Sequence, residues 1–308
     1  MTSSVSTPTV SFTGRVAALA QDIKLAHSVF ALPFALLATF LAAGSAGRLP
    51  TAVTLGLIVL CMFTARTVAM AINRWADASM DAANPRTAQR AIPRGVVSRE
   101  FVLGAAIACG IAFIVAASGF YFLNDNPWPV LLSPVVLAYL AAYSFTKRIT
   151  WLCHVVLGGA LALSPIAAVI AVEPGYLGDP APWLLAGVVV CWVAGFDVLY
   201  ALQDLRFDRE AGVFSMPANL GVGPALWISR GLHALVVAGL VALVWRSDLL
   251  GVVFAVAAGL AVVLLVFEHA LVWAGRTQHM KIAFGTLNGI ISVALGAAGI
   301  VDVVVGVV

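Results

Sequence analysis

The sequence predicts an all-α, polytopic membrane protein with nine transmembrane helices and a cytoplasmic N-terminus. Its 308 residues are 62% hydrophobic and only 10% charged, which is more apolar than one soluble core of this length can bury. Apolar runs of about 20 residues match the thickness of the hydrocarbon core of a bilayer. The predicted spans are residues 25–46, 51–72, 102–123, 128–146, 151–171, 183–203, 225–245, 249–273 and 283–307.

The N-terminal segment is predicted to lie outside the membrane. Residues 1–15 are polar and rich in Ser and Thr, and they lack the basic start and apolar centre of a cleaved signal peptide. We expect residues 1–22 to form a disordered polar tail. Residues 23–308 are then expected to form a single transmembrane domain whose first span acts as its own insertion signal.

The distribution of Lys and Arg predicts the orientation. Of the 17 basic residues, 14 fall on one set of helix ends, two fall on the opposite ends, and Arg66 lies inside the second predicted helix. Cytoplasmic loops carry the excess of Lys and Arg, so the N-terminus and the loops after helices 2, 4, 6 and 8 are predicted to be cytoplasmic. We therefore expect a multi-pass protein of the inner or cell membrane with its chemistry on the cytoplasmic side. The 14 residues are Arg15, Lys24, Arg74, Arg86, Arg90, Arg94, Arg99, Lys147, Arg148, Arg206, Arg209, Arg230, Arg276 and Lys281.

Asn73, Asp77 and Asp81 fall at four-residue intervals at the end of the second predicted helix. Residues i, i+4 and i+8 share one helix face, about 6 Å apart per turn. Stacked carboxylates repel each other unless a cation lies between them, and Mg²⁺ prefers such oxygen ligands together with water and substrate phosphates. We interpret the motif as a Mg²⁺ site. The alternative is a solvated helix end whose acids balance Arg74 and Arg86.

Asp204 and Asp208 repeat this spacing at the end of the sixth predicted helix, on the same cytoplasmic side. The two acidic motifs together predict two Mg²⁺ ions that face one diphosphate. Asp197 lies seven residues before Asp204, deeper on the same face, where an ionised group is costly. It is expected to pair with a cation, to hydrogen-bond the motif or to face a wet cavity, and a structural hydrogen bond is the alternative.

Arg66 lies two helical turns deeper than Asn73 on the same predicted face. There it can bind phosphate or a carboxylate of the substrate. A snorkelling or internally paired arginine is the alternative interpretation.

Further candidates are basic or hydroxyl-bearing residues near the cytoplasmic helix ends. The basic ones can neutralise a diphosphate leaving group, although topology alone also places arginines there. The hydroxyl-bearing ones can line the cavity or bond a phosphate, although aromatic residues at helix ends commonly belong to a membrane belt. The five histidines form no clustered pattern and are interpreted as packing or interface residues. The candidates are Arg86, Arg90, Lys147, Tyr143, Ser144 and Tyr200.

The order of these motifs resembles the UbiA superfamily of intramembrane prenyltransferases over nearly the whole chain. Finer features in residues 27–34, 91–95 and 143–148 resemble the branch that prenylates a dihydroxynaphthoate in the futalosine route to menaquinone. The 4-hydroxybenzoate enzymes of ubiquinone synthesis are close neighbours of that branch. The matching motifs are Asn73-x3-Asp77-x3-Asp81, then Arg86-Thr87-x2-Arg90-x2-Pro93-x-Gly95, and finally Asp197-x2-Tyr200-Ala201-x-Gln203-Asp204-x3-Asp208 with Gly212, Ser215 and Pro217.

The chain departs from this pattern within the second motif. Some relatives carry additional acids between the two aspartates, where this chain has Leu205, Arg206 and Phe207. The ligand set of the second metal therefore stays open.

The resemblance implies a horseshoe of helices around a central cavity that opens sideways to lipid for an isoprenoid tail. It implies transfer of a polyprenyl group from polyprenyl diphosphate to an aromatic acceptor of the dihydroxynaphthoate or 4-hydroxybenzoate type in respiratory quinone biosynthesis. Asn73, Asp77 and Asp81 would hold one Mg²⁺, and the second motif would hold the other. Arg66 is the candidate for the carboxylate of the acceptor. The expected partners are the two substrates and membrane lipid, with no nucleic acid.

The alternative from another class is a cation-coupled transporter that uses the same acids as an ion path. Transporter sites usually lie near the bilayer midplane at broken helices, whereas these acids cluster at helix ends beside several arginines. That arrangement suits a diphosphate better than a permeating cation. Among enzymes, haem farnesylation, chlorophyll esterification and archaeal lipid ether formation stay open.

Overall fold

The computed structural model describes residues 11–23 and 30–308, and every regular element in these ranges is a helix. The all-α prediction is therefore confirmed for this part of the chain. Residues 1–10 of the predicted tail, Lys24 of the charge count and His27 of the resemblance lie outside it, as does the start of the first predicted span. The α-helices are α1 Phe12–Asp22, α2 Leu32–Ser45, α3 Ala52–Ala83, α4 Arg99–Asn124, α5 Trp128–Thr146, α6 Cys153–Val172, α7 Pro180–Ala201, α8 Leu205–Ala211, α9 Met216–Leu220, α10 Val222–Arg246, α11 Val252–Leu271 and α12 Asn288–Val307.

Short helical segments of other types connect these helices. The segment Lys281–Leu287 is a π-helix that runs directly into α12. The remaining ones are the 3₁₀ segments Pro174–Gly178, Leu202–Asp204 and Trp273–Gly275.

Within the described ranges, eight helical segments are long and apolar enough to cross a membrane. The helix in the first predicted span, α2, has only 14 residues and begins with Leu32-Pro33, a position where proline is favoured because it needs no N–H partner. The count of nine spans therefore stays a prediction, and so does the side on which the N-terminus lies.

Helix α3 is much longer than the predicted span 51–72. Its 32 residues extend about 48 Å at 1.5 Å per residue, whereas the hydrocarbon core of a bilayer is about 30 Å thick. Helix α3 is therefore longer than that layer is thick, and its last turns carry Asn73, Asp77 and Asp81.

The prediction of a disordered tail over residues 1–22 is wrong for residues 12–22, which form α1. The side-chain oxygen of Ser11 accepts a hydrogen bond from the N–H of Gly14 at the start of this helix, as an N-cap residue does. Leu19 and Ile23 are buried against Val97 and neighbouring apolar residues. The apolar residues of this helix thus pack against another part of the chain, which the polar composition of residues 1–22 does not predict.

The main buried core lies between α2, α6, α7, α10, α11 and α12, with Trp192 at its centre. A cavity of about 920 Å³ is lined mainly by α3 to α7, with further side chains from α1, α2, α8 and the π-helical segment. Helices α6 and α7 pack closely at Gly158, where an added Cβ would lie 2.5 Å from the carbonyl oxygen of Val190. This close approach brings the cavity-facing side chains of the two helices together.

Candidate active site

The structure places every candidate site residue named from the sequence in the wall of the cavity enclosed by α3 to α7. The charged residues lie where α3, α5 and α7 end, and the deeper wall is largely apolar. The candidates therefore share one cavity, and their individual roles remain predictions. The residues are Arg66, Asn73, Asp77, Asp81, Arg86, Arg90, Tyr143, Ser144, Lys147, Asp197, Tyr200, Asp204 and Asp208.

Asp77 lies on α3 and is only 1% exposed. Its Oδ2 accepts a hydrogen bond from Lys147 Nζ at 2.5 Å, and its Oδ1 accepts one from Arg148 Nη2 at 2.9 Å. Lys147 is one of the candidates named from the sequence, whereas Arg148 is not among them. The buried carboxylate of Asp77 therefore has a cationic partner on each of its two oxygens.

Asp81 lies one turn further along α3. Arg90 Nη1 donates to both of its carboxylate oxygens, at 2.6 and 2.8 Å, and Arg74 Nη1 lies 3.8 Å from Oδ2. Arg74 Nη1 also donates to Asn73 Oδ1 at 3.2 Å. Basic side chains therefore donate hydrogen bonds to side-chain oxygens of all three residues of the first motif.

The second motif differs from the prediction of one continuous helix face. Helix α7 ends at Ala201, and a 3₁₀ segment carries the chain to Asp204, which precedes α8. Asp204 has φ −102° and ψ 3°, outside the α-helical region. The physical reason is that its side chain is held from α3: Asn84 Nδ2 donates to Asp204 Oδ1 at 2.9 Å.

Arg86 completes the contact between the two motifs. Its Nε donates to Asp204 Oδ1 at 2.7 Å and its Nη2 donates to Oδ2 at 2.5 Å, while Nη1 donates to Tyr200 Oη at 2.9 Å. Burial lowers the pKa of the Arg86 guanidinium, but the hydrogen bonds to Asp204, together with the nearby Tyr200 and the charges of Asp204 and Asp81, outweigh burial and raise the pKa above its ordinary value. The loop after α3 therefore joins the first motif to the second.

Asp208 lies on α8 and is 8% exposed. Its Oδ2 accepts a hydrogen bond from Ser215 Oγ at 2.7 Å. No Lys or Arg forms an ion pair with it within the described ranges. Asp208 is thus bonded to a hydroxyl group, and its carboxylate is more available to a cation than the carboxylates that already pair with Lys or Arg.

Three further candidates lie deeper in the cavity or on its wall. Arg66 on α3 is half-buried and lines the cavity. Tyr143 on α5 donates its hydroxyl proton to the carbonyl oxygen of Ala69 at 3.3 Å, which ties α5 to α3. Ser144 is 2% exposed, and its carbonyl oxygen accepts from Arg148 Nη1 at 3.0 Å.

Sequence reasoning missed a partner of Asp197. His154, the second residue of α6, is 3% exposed, and its Nδ1 lies 2.7 Å from Asp197 Oδ2. Both side chains line the cavity. The sequence does not predict this contact, because no local spacing links a histidine to an aspartate 43 positions away.

The donor set fits a hard cation that the substrate helps to bind. Carboxylate and amide oxygens are the ligands that Mg²⁺ prefers. Within the described residues, no three Asp, Glu, His or Cys side chains are close enough to hold a metal by themselves. Each motif can therefore supply one or two ligands, with phosphate oxygens and water completing the shell, which is common for Mg²⁺.

The formal charges of the cavity wall balance. An added diphosphate would bring several negative charges into a neutral site, so a divalent cation would be needed to offset them. The acids are Asp22, Asp77, Asp81, Asp197, Asp204 and Asp208, and the bases are Arg66, Arg74, Arg86, Arg90, Arg94 and Lys147.

Comparison with known proteins agrees with this arrangement. The model of the UbiA prenyltransferase family matches residues 31–294. The 4-hydroxybenzoate octaprenyltransferase of Hahella chejuensis (strain KCTC 2396) is 30% identical over 236 residues, which are 76% of this chain and 75% of that protein. The protein of that name from Pseudomonas fluorescens (strain SBW25) is 35% identical over 173 residues, and this match spans 56% of each chain.

Two solved structures share the fold. The apo structure of a UbiA homologue from Aeropyrum pernix K1 superposes with a TM-score of 0.80 at 32% identity, covering 90% of this chain and 98% of that one. A UbiA homologue from Archaeoglobus fulgidus bound to DMAPP and Mg²⁺ has a TM-score of 0.70 at 18% identity, with 93% of this chain and 99% of that one covered. The second similarity concerns the fold alone.

Proposed function

Because the chain belongs to the UbiA prenyltransferase family, we propose that it transfers a polyprenyl group from polyprenyl diphosphate to an aromatic acceptor. The reaction releases diphosphate and depends on Mg²⁺. The acceptor is a hydroxylated aromatic acid of the dihydroxynaphthoate or 4-hydroxybenzoate type, which places the reaction in respiratory quinone biosynthesis. The protein resides in the cell membrane and works on its cytoplasmic side.

The observation that carries this proposal is the convergence of the two acidic motifs on one cavity. Asn84 and Arg86 follow the first motif and both bond Asp204 of the second. The two motifs therefore lie close enough to act on one ligand. A diphosphate suits such a site, because its negative charges can be offset by basic side chains and by cations that the carboxylates bind.

The rest of the cavity suits an isoprenoid tail. Below the charged rim the wall is formed by apolar side chains, among them Phe113, Leu140, Leu161 and Phe196. A polyprenyl diphosphate needs an apolar path for its tail and a charged site for its head, and a cavity at the edge of the bilayer provides both.

The basic residues would hold the diphosphate when the substrate enters. Lys147, Arg86 and Arg90 now pair with motif carboxylates, and they can exchange these partners for phosphate oxygens. We propose that Asn73, Asp77 and Asp81 hold one Mg²⁺ and that Asp204 and Asp208 hold a second. Bound there, Mg²⁺ would supply charge neutralisation for the leaving group.

The chain then protects the reactive carbon. As the allylic C–O bond breaks, positive charge develops on C1 of the prenyl group, and the apolar wall excludes the water that would capture it. An electron-rich ring carbon of the acceptor attacks C1. Arg66, seven residues deeper than Asn73, binds the carboxylate of the acceptor and so orients the ring.

A cation-coupled transporter fits these contacts less well. Three of the four motif aspartates form ion pairs with Lys or Arg within the described ranges. A permeating cation would have to compete with these fixed positive charges along its whole path.

The direct test incubates purified protein with Mg²⁺, polyprenyl diphosphates of several lengths and a panel of aromatic acids. Mass spectrometry identifies the prenylated product, and a phosphate assay measures diphosphate release. We expect a prenylated dihydroxynaphthoate or 4-hydroxybenzoate. Failure of every acceptor to stimulate diphosphate release would refute the proposed function and favour transport.

A further inference from the structure

Arg230 contacts two exposed tryptophan rings on the outer surface of the helix bundle. The guanidinium carbon of Arg230 on α10 lies 4.8 Å from the ring centroid of Trp227 and 5.1 Å from that of Trp273. Trp227 is on the same helix, whereas Trp273 belongs to the 3₁₀ segment after α11. The two rings are 70% and 61% exposed. Two separate elements therefore hold one cation by cation–π contacts.

The turn after α11 is shaped so that Trp273 reaches α10. Ala274 has φ 58° and ψ 24°, in the left-handed region that a residue with a side chain rarely adopts. Gly275 follows with φ 79°, and an added Cβ there would lie 2.9 Å from Cγ1 of Val222 at the start of α10. The turn thus packs directly on α10. A backbone conformation that is unfavourable for alanine is kept where it places an indole beside Arg230.

The positive charge of this surface is not balanced by nearby acids. None of the ion pairs within the described ranges includes Arg230, and none includes Arg276 or Lys281 in the connection from α11 to α12. Helix α10 contains no acidic residue, and α11 contains only Glu268. Glu268 is 1% exposed and therefore does not face this surface. The surface is suited to an anion.

The position of Trp273 relative to α11 places the contact at the level of the lipid headgroups. Helix α11 has 20 residues and extends about 30 Å, which matches the hydrocarbon core of a bilayer. Trp273 follows its last residue by two positions, so Arg230 meets Trp273 where hydrocarbon gives way to headgroups. Along α11, Val266, Val263 and Val256 are exposed and share one helix face. An acyl chain can lie against that apolar face.

We propose that Arg230, Trp227 and Trp273 form a binding site, here called the Arg230 site, for the phosphate group of an anionic phospholipid. The ring contacts of a guanidinium do not use the paired N–H groups that match two phosphate oxygens. The indole N–H groups can bond further headgroup oxygens. The unbalanced positive charge favours a lipid with a net negative headgroup over a zwitterionic one. The Arg230 site lies outside the cavity, so this inference goes beyond the proposed function.

The other end of α10 shows how an ordinary membrane boundary differs. Arginine and tryptophan are common at such boundaries, and Trp245 and Arg246 lie there, with Trp245 84% exposed. Among the described residues, no aromatic ring lies under the Arg246 guanidinium. Arg246 is therefore a matched control for Arg230 on the same helix.

Native mass spectrometry of the delipidated protein tests the Arg230 site. The full chain is incubated with equal amounts of phosphatidylglycerol and phosphatidylcholine that carry the same acyl chains. We expect the unchanged protein to retain phosphatidylglycerol in preference. Arg230→Gln should lower that retention about fivefold, the effect of one basic group at a membrane surface, and should leave the retention of phosphatidylcholine unchanged. Arg246→Gln should behave like the unchanged protein.

Two further variants separate geometry from charge. Arg230→Lys keeps the charge but loses the fork of N–H groups, and Trp273→Leu keeps an apolar side chain but loses the ring. We expect both to retain less phosphatidylglycerol than the unchanged protein. The elution volume in detergent checks that each variant is folded. For the unchanged protein, phosphatidylglycerol should raise the melting temperature, whereas inorganic phosphate at the same concentration should not.

The inference fails if Arg230→Gln retains as much phosphatidylglycerol as the unchanged protein, or if the unchanged protein retains the two lipids equally. A rise in melting temperature with inorganic phosphate alone would also overturn it, since the site would then bind a free anion. A dimer that disappears in Arg230→Gln while lipid retention stays the same would assign the surface to a second copy of the chain. The assays contain no prenyl diphosphate and no acceptor, so their outcome is independent of the proposed function.

Discussion

Arg86 forms a bidentate ion pair with Asp204, 118 positions further along the chain. Arg86 follows Asp81 of the first acidic motif by five residues, and Asp204 opens the second motif. The pair therefore holds the two motifs at one end of the cavity before any ligand binds. When a diphosphate enters, the same guanidinium can turn to phosphate oxygens and free Asp204 for a cation.

Replacement of Arg86 by Lys tests this exchange. Lysine keeps the charge but loses the paired N–H groups that match a carboxylate or a phosphate. Because the side chain is partly exposed, we expect a rise of about 10-fold in the KM of the prenyl diphosphate, with little change in the KM of the acceptor. Steady-state kinetics checks this, with Arg206→Lys as the control, since that side chain is 92% exposed. Equal kinetics for the two variants would show that Arg86 does not contact the donor.

The motif aspartates are expected to be indispensable. Asp77→Ala and Asp204→Ala each remove a proposed metal ligand, so prenyl transfer should fall below detection while membrane insertion and the elution volume in detergent stay normal. Glu210→Gln is the control, because Glu210 lies on the surface and contacts only Arg206 among the described residues. Retained transfer in either aspartate variant would refute the metal assignment.

Arg66 is expected to select acceptors that carry a carboxylate. A hydrogen bond to a charged group contributes about 1.5–3 kcal/mol, so Arg66→Gln should raise the KM of an aromatic acid roughly 10-fold or more. The KM of a phenol without a carboxylate should not change. An equal rise for both acceptors would mean that Arg66 acts elsewhere, for example on the phosphate.

Removal of divalent cations tests the metal requirement. With EDTA, we expect transfer to stop and to return when Mg²⁺ is added, because the neutral cavity wall has no spare positive charge for a diphosphate. Binding of polyprenyl diphosphate, measured as the rise that it causes in the melting temperature, should also weaken when EDTA is present. Transfer that persists in EDTA, after dialysis against chelator, would contradict the assignment.

The sequence predicts the first motif well, and the physical reason is local. Asn73, Asp77 and Asp81 all lie within α3, in its last turns, where helical periodicity alone decides that their side chains share a face. The apolar runs likewise locate the helices, because the bilayer imposes their length. The ends of the helices are less predictable: α3, for example, continues eleven residues past its predicted span 51–72 and ends at Ala83.

The rest depends on contacts between distant residues. Asp204, where the helix breaks, is bonded to Asn84 and Arg86, and Asp197 is bonded to His154 on another helix. Helix α1 forms because Leu19 and Ile23 find an apolar partner surface at the start of α4. None of these pairs has a sequence spacing that local periodicity can reveal.

The most direct measurement is a structure of the protein with Mn²⁺ in place of Mg²⁺ and a slowly reacting polyprenyl thiodiphosphate. Anomalous scattering locates the Mn²⁺ ions independently of the model of the chain. We predict that Mn²⁺ binds beside Asp77 and Asp81 and also beside Asp204 and Asp208, with one diphosphate group touching the ions at both motifs. A diphosphate bound to one motif alone, or Mn²⁺ absent from both, would contradict the account.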